Sequence, residues 1–400
     1  MKAAPSYPLL GGSLLVAGSC IGAGMLALPI LTGLSGFFPS LLSLLLAWAF
    51  MTYSACLVLE MNAWFPNQVN LLSMLEKGLG IWGKRICFFS YLFLFYSLLI
   101  AYISASSKIF SGFINHFAGI FLPPTLASVL FVLIFGGALF LGTRFIDGMN
   151  RFLMVGLGYS FFFMVFLGAP KTDMGNWLHV EWSFWSLSLP VLVLSFGFQN
   201  MIPSLSAYVD QDWRKMQQTI FGGSLIVFFV YLFWQGLLLG LVPFGGEEGI
   251  LAIYQRKEEA SYALKNFGIG SYAQSFAFFA IVTSFVPQAL TLVHFLADGL
   301  NMPLSSRNHV FLVTVVLLPS LLFALTYPEV FYAALQFAGG VCTMTLFGIL
   351  PVFAVWNGRY RQKFPGNYRA FGGRAALLCS AFFAFWLFFQ ELFTMVRSVS

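Results

Sequence analysis

The stretch GSCIGAGMLALP (residues 18–29) sets Gly18, Gly22 and Gly24 beside Ser19 and Cys20 inside a long apolar run, with Pro29 at its end. Each interior glycine weakens a helix by roughly 1 kcal/mol relative to alanine, so the cluster predicts a broken helix. A second stretch, SFGFQNMIP (195–203), has the same plan: Gly197 sits among Ser195, Phe196, Gln199 and Asn200, and Pro203 follows. An unpaired backbone group in hydrocarbon costs several kcal/mol, so unwound backbone is tolerated there only where it lines a cavity or meets a ligand. Amides freed near Ala23, Gly24 and Met25, at the positive end of a half-helix, suit a carboxylate. Carbonyls freed near Ser195–Gly197 and in the first half-helix suit an ammonium or a small cation. A site that takes both charges of a zwitterion is an amino-acid site. Small residues also let membrane helices pack closely. That reading is preferred for Gly11, Gly12, Gly136 and Gly137, which lack the clustering with polar residues.

The elements that must hold these breaks are membrane spans. Of 400 residues, 59% are hydrophobic and 8% charged, and the mean hydropathy is +0.86. Soluble domains carry about 25% charged residues, so the chain is an all-α polytopic membrane protein. The net charge of +6 does not indicate nucleic acid, because the basic residues sit in short loops where they set orientation. Eleven spans are expected, at 9–34, 37–60, 86–112, 123–142, 149–168, 184–206, 219–243, 269–298, 309–327, 329–355 and 375–396. The first is read as an uncleaved span rather than a signal peptide. With the N-terminus cytoplasmic, fourteen Lys and Arg fall inside and six (Lys108, Lys171, Arg256, Lys257, Lys265 and Arg397) outside. That asymmetry places the C-terminus outside, in the periplasm, and loop 356–374 carries most of it. The outer segment 244–268 has mixed charge and is expected to form a short surface helix. The five cysteines are scattered, without metal-ligand spacing, and read as small buried residues.

The breaks fall in spans one and six, each opening a block of five. Such pairs of interrupted spans at matching positions point to a secondary-transporter site. An aromatic substrate needs an apolar slot, and a phenol needs a polar partner. Gln199, Asn200 and Ser195 are candidates for that partner. Tyr96 and Tyr102 on span three lie on different faces, so one of them is expected to reach the site. With 49 phenylalanines in the chain, packing is the default role of any one; Phe196 and Phe198 stand out only because they flank the break.

Ionisable residues inside spans are functional candidates. Glu60 on span two is one, unless it contacts Lys84 or Arg85. His294 and Asp298 lie four apart on one face of span eight, either as part of ion coupling or as an interfacial pair. Lys108, Glu329 and Glu391 lie at span ends. Thr283 and Ser284 on span eight can offer hydroxyls to a sodium ion beside the carbonyls of 16–19, although such hydroxyls also bond their own backbone. The segment TRFIDGMNR (143–151), with Arg144, Asp147 and Arg151, is expected to be a positive inner turn, the alternative being a gate that forms and breaks ion pairs.

VAGSCIGAGMLALP (16–29), AYIS (101–104), NRFL (150–153), SFGFQNMIPS (195–204), FLAD (295–298) and FALTYP (323–328) resemble the bacterial aromatic amino acid permeases, over about residues 9–395. The span-one and span-six motifs together are specific; AYIS or FLAD alone means little. The resemblance implies an eleven-span inner-membrane symporter that imports tyrosine with protons. It also implies a LeuT-type 5+5 inverted repeat, with 9–168 and 184–355 as the two halves and 375–396 as an extra helix. Gln199 stands where similar proteins often have histidine, so a proton role for that histidine does not carry over. The expected partners are an amino acid, a coupling proton and the bilayer, with no cofactor.

An intramembrane enzyme is disfavoured. His294 is the one histidine within a span, since His116, His179 and His309 fall in loops or at edges, and no metal constellation or paired aspartates exist. No repeated filter or charged ring supports a channel.

Overall fold

The computed structural model describes residues 8–22, 24–66, 69–209, 212–300, 302–303 and 305–399. Among them, ten helices are long and apolar enough to cross a membrane: Phe37–Asn62, Leu71–Asn115, Pro124–Leu141, Arg144–Lys171, Leu189–Ser206, Trp213–Leu241, Gly270–Gly299, Arg307–Thr326, Phe331–Tyr360 and Gly373–Arg397. Leu9–Cys20 and Gly24–Gly33 are bent 68° to one another and together make an eleventh span. Numbered in chain order, the bent pair is span one. The chain is an all-helical multi-pass membrane protein.

Three stretches depart from the sequence reading. Span three begins at Leu71 rather than 86, capped by the Asn70 side chain, which accepts from the Ser73 amide at 2.9 Å. Its first turns bend away at Gly80, whose φ of 73° few other residues adopt. The expected turn 143–151 is instead the start of span five, helical from Thr143. Segment 244–268 does form short helices, Ile250–Gln255 and Ala260–Ala263, but Ile250, Ile253 and Ala260 are buried. A side-chain carbon on Gly33 would meet Ile250 Cδ1 at 2.7 Å, so the segment caps the second half of span one rather than lying loose on the surface.

Three prolines inside spans follow one rule. Proline has no N–H, so the carbonyl four residues earlier loses its helical partner. The Met25 carbonyl, four before Pro29, accepts from Trp234 Nε1 at 2.8 Å. The Val315 carbonyl, four before Pro319, accepts from the Tyr96 hydroxyl at 2.8 Å. The Phe347 carbonyl, four before Pro351, accepts from the Ser54 hydroxyl. The donors stand on spans seven, three and two, so neighbouring helices supply what each proline removed.

Glu60 and Arg359 form a buried two-pronged ion pair between span two and the end of span ten. Arg359 Nε donates to Glu60 Oε1 at 2.6 Å, and Arg359 Nη2 donates to Oε2. The Ala370 amide also donates to Oε2, at 2.7 Å, and the Ala370 carbonyl accepts from Arg359 Nη2. The sequence reading offered Lys84 or Arg85 to Glu60; Lys84 pairs instead with Glu76 at 2.8 Å.

Glu259, in the segment capping span one, is 4% exposed. Its carboxylate accepts from the Ser261 amide at 2.6 Å. Burial pushes its pKa up to about 7, beyond what the Ser261 bonds pull down; Glu258 adds to the rise and Lys108 opposes it. A carboxyl raised on folding favours the packed state fully below its unfolded value of 4.5 and loses that contribution as pH rises through 7. Amide protection factors across 250–263 are therefore expected to be higher at pH 5 than at pH 8. Glu259→Gln should flatten that difference; an unchanged pH dependence in the variant would exclude Glu259 as its source.

Candidate substrate site at the two broken helices

Span one stops at Cys20 and resumes at Gly24; Ala23 lies outside the described residues. The Ile21 and Met25 amides are paired, to the Ala17 and Gly22 carbonyls at 3.0 Å each. The amides of Gly22 and Gly24 have no backbone acceptor among the described residues. Span six is helical over Leu189–Ser195, opens at 196–198 and resumes through Gln199–Met201 into Ile202–Tyr208. There the Gly197 carbonyl is left without a backbone donor among the described residues.

The breaks are held together from span seven. The Tyr231 hydroxyl lies 2.7 Å from the Cys20 carbonyl and 2.9 Å from the Ser195 carbonyl, sharing its proton between the last carbonyls of the two half-helices. Phe196 packs edge-on to the Tyr231 ring at 5.2 Å. The approach is close. A side-chain carbon on Gly24 would lie 2.7 Å from Ser195 Oγ, and one on Gly22 would lie 2.6 Å from Ser284 Oγ of span eight. Spans one, six and eight meet at these glycines because a larger residue there would hold them apart.

A cavity of about 650 Å³ lies against both breaks. Of the residues singled out in the sequence, Gly18, Ser19, Cys20, Gly22, Gly24, Tyr102, Ser195, Gly197, Asn200, Thr283 and Ser284 line it. Its described lining carries no charged side chain, so ligand charges there must be met by backbone groups and helix ends. Among the lining residues, Leu14, Leu15 and Ser19, all before the break in span one, are exposed, as are Asn200 and Thr291, whereas Tyr102, Leu335, Thr343 and Phe347 are buried. The cavity therefore opens toward the side on which span one begins.

Several expected positions fall elsewhere. Tyr96 is committed to span nine through Val315, so of these two tyrosines Tyr102 is the one at the cavity, where its hydroxyl hydrogen-bonds the Ser284 side chain. Gln199 turns toward span two, its Nε2 donating to the Met51 carbonyl at 3.0 Å. Phe196 and Phe198 are fully buried in packing. Glu60 is held by Arg359, away from the cavity. His294 is half-buried and Asp298 exposed; neither lines the cavity, and no ion pair joins them among the described residues. Thr283 Oγ1 and Ser284 Oγ donate to carbonyls of their own helix, Phe279 and Ala280, at 2.7 and 2.8 Å. Ser19 likewise donates to Val16 at 2.8 Å.

The sequence reading missed Tyr231 and Trp234. The signal was present: a tyrosine and a tryptophan in VYLFWQG sit within span seven, away from its ends, whereas such residues usually gather at membrane interfaces. It also missed span ten as a wall of the cavity. The helix there widens to a π-helix over Ala338–Ile349, an irregularity often found at functional sites.

A polytopic helical protein whose interrupted spans wall a ligand-sized cavity has the architecture of a small-molecule carrier. A model of the tryptophan/tyrosine permease family matches residues 6–390. The tyrosine-specific transport system 2 of Haemophilus influenzae is 30% identical over 376 residues, 92% of each chain. The tryptophan-specific transport protein of the same bacterium is 31% identical over 391 residues, 92% of this chain and 91% of its own. The low affinity tryptophan permease of Escherichia coli K12 is 27% identical over 390 residues, 93% of this chain and 92% of its own. The chain belongs to the tryptophan/tyrosine permease family, and it is a transport protein rather than an enzyme.

Proposed function

We propose that the protein imports an aromatic amino acid, tyrosine first, by proton symport across the bacterial inner membrane. The observation that carries this reading is the uncharged cavity of about 650 Å³ at the two breaks, within the ~300–1,000 Å³ range of small-molecule sites. The amides of Gly22 and Gly24 receive the carboxylate; the Gly197 carbonyl and the Ser195 hydroxyl face the ammonium. Aromatic and aliphatic side chains of spans three and ten take the ring. The names of the relatives support an aromatic substrate, and both tyrosine and tryptophan appear among them. Spans one to five and six to ten act as inverted halves that rock about the site. With the N-terminus cytoplasmic, as the Lys and Arg distribution favours, the cavity faces inward and the C-terminus is periplasmic. Glu60, His294 and Asp298 remain the candidates for the proton, and Thr283 and Ser284 for sodium.

The test is uptake of labelled tyrosine into proteoliposomes under an imposed pH gradient or sodium gradient, with tryptophan and phenylalanine as competitors. One positive charge moving inward across 100 mV supplies about 2.3 kcal/mol, enough for about fifty-fold accumulation. Accumulation driven by protons alone is expected. A requirement for sodium would replace the proton and direct attention to Thr283 and Ser284. Failure to accumulate any aromatic amino acid under either gradient would overturn the substrate.

A further inference from the structure

Two residues that line the cavity each carry a buried polar atom with no hydrogen-bond partner among the described residues, Thr343 Oγ1 and Asn150 Oδ1. Asn150 is half-buried near the open side, beside Met154. Thr343 is 0% exposed and sits on the π-helix of span ten. Many hydroxyls inside these spans donate to the carbonyl four residues back, as Thr32, Ser195, Thr283, Ser320 and Thr345 do. Thr345 does so within the same π-helix, two residues on, so the helix type alone does not deny Thr343 that bond. A buried hydroxyl left unpaired is costly, and a partner supplied by a ligand removes the cost.

The surroundings say which part of a ligand would arrive. Tyr91, Leu94, Phe95 and Leu98 recur at helical spacing on span three and line the cavity together with Leu335 and Phe347 of span ten. Phe347 is one turn from Thr343, packs edge-on to Tyr91 at 6.3 Å, and reaches to 4.0 Å of where a side-chain carbon on Gly197 would be. The wall that runs from the break in span six to Thr343 is therefore built of rings and aliphatic chains. A flat apolar group lying along it would carry its far end toward Thr343.

Resting on the reading of the cavity as an aromatic amino-acid site, we infer that Thr343 is a specificity-determining residue whose hydroxyl pairs with the hydrogen-bonding atom carried on the substrate ring. The class so selected is a phenol or an indole, in preference to a bare phenyl ring. A site with a polar group placed for a substrate hydroxyl discriminates against the analogue lacking it, because the site's own group is then left unpaired.

The experiment compares wild type, Thr343→Val and Thr343→Ser in proteoliposomes, measuring KM for labelled tyrosine, tryptophan and phenylalanine. Valine keeps the shape and removes the hydroxyl; serine keeps the hydroxyl. Thr343→Val is expected to raise the KM for tyrosine and tryptophan about tenfold and to keep or lower that for phenylalanine, whose continued uptake also shows that the variant is folded. Thr343→Ser is expected to keep the wild-type preference. Equal loss for all three amino acids, no change for any, or loss of the preference in Thr343→Ser would overturn the assignment. A wild-type protein inert toward every aromatic amino acid would overturn the site reading, and this assignment with it.

Discussion

Glu60→Gln, purified in detergent, is expected to unfold well below the wild type, with a stability loss of about 3–5 kcal/mol. The substitution leaves the Arg359 guanidinium buried, its side chain 7% exposed, without the carboxylate that receives its Nε and Nη2. It also weakens the acceptor of the Ala370 amide, so the loop after span ten loses an anchor to span two. Domains have only about 5–15 kcal/mol of net stability, so this single change should be visible in a thermal melt. Replacing both partners by apolar residues of similar size, Glu60→Leu with Arg359→Met, should recover much of the loss, since no unpaired buried charge remains. If Glu60→Gln melts with the wild type while its uptake loses pH dependence, the pair is an ion-coupling device rather than a structural clasp.

Gly22→Val is expected to lower uptake about 100-fold or more while leaving a protein that inserts in the membrane. Two effects compound. The added side chain meets Ser284 Oγ, at 2.6 Å from the first new carbon, and overpacking of this kind costs about 1–3 kcal/mol. The side chain also stands beside the Gly22 and Gly24 amides, where the carboxylate is proposed to bind. The two are separable because Ser284 is small. Gly22→Ala combined with Ser284→Ala relieves the clash but still covers the backbone. Uptake near wild type in that double variant would mean that Gly22 is needed for helix contact alone, and the carboxylate would have to bind elsewhere.

The spans were legible because bilayer length and hydropathy constrain sequence directly. The breaks were legible for a related reason: glycines clustered with polar residues have few structural uses inside hydrocarbon. What failed to show was the identity of partners across the bundle. Tyr96 and Tyr102 look alike in the sequence. They part because Pro319, over two hundred positions away, leaves the Val315 carbonyl in need of a donor and Tyr96 supplies it. Glu60 was visible as an ionisable residue within a span, but the basic residues proposed from sequence, Lys84 and Arg85, are not its partners. Gln199 is polar and next to the break, yet the short 3₁₀ turn that follows directs it to span two. Helical periodicity gives the face a residue occupies only while the helix is regular, and the site lies where regularity is lost.

Where the substrate sits is tested most directly by an experimental structure with tyrosine at a concentration that saturates uptake. The expected result is density within the cavity of about 650 Å³, the carboxylate against the Gly22 and Gly24 amides and the ring between spans three and ten with its hydroxyl at Thr343. Tyrosine bound outside that cavity, or the cavity empty while uptake is saturated, would contradict it.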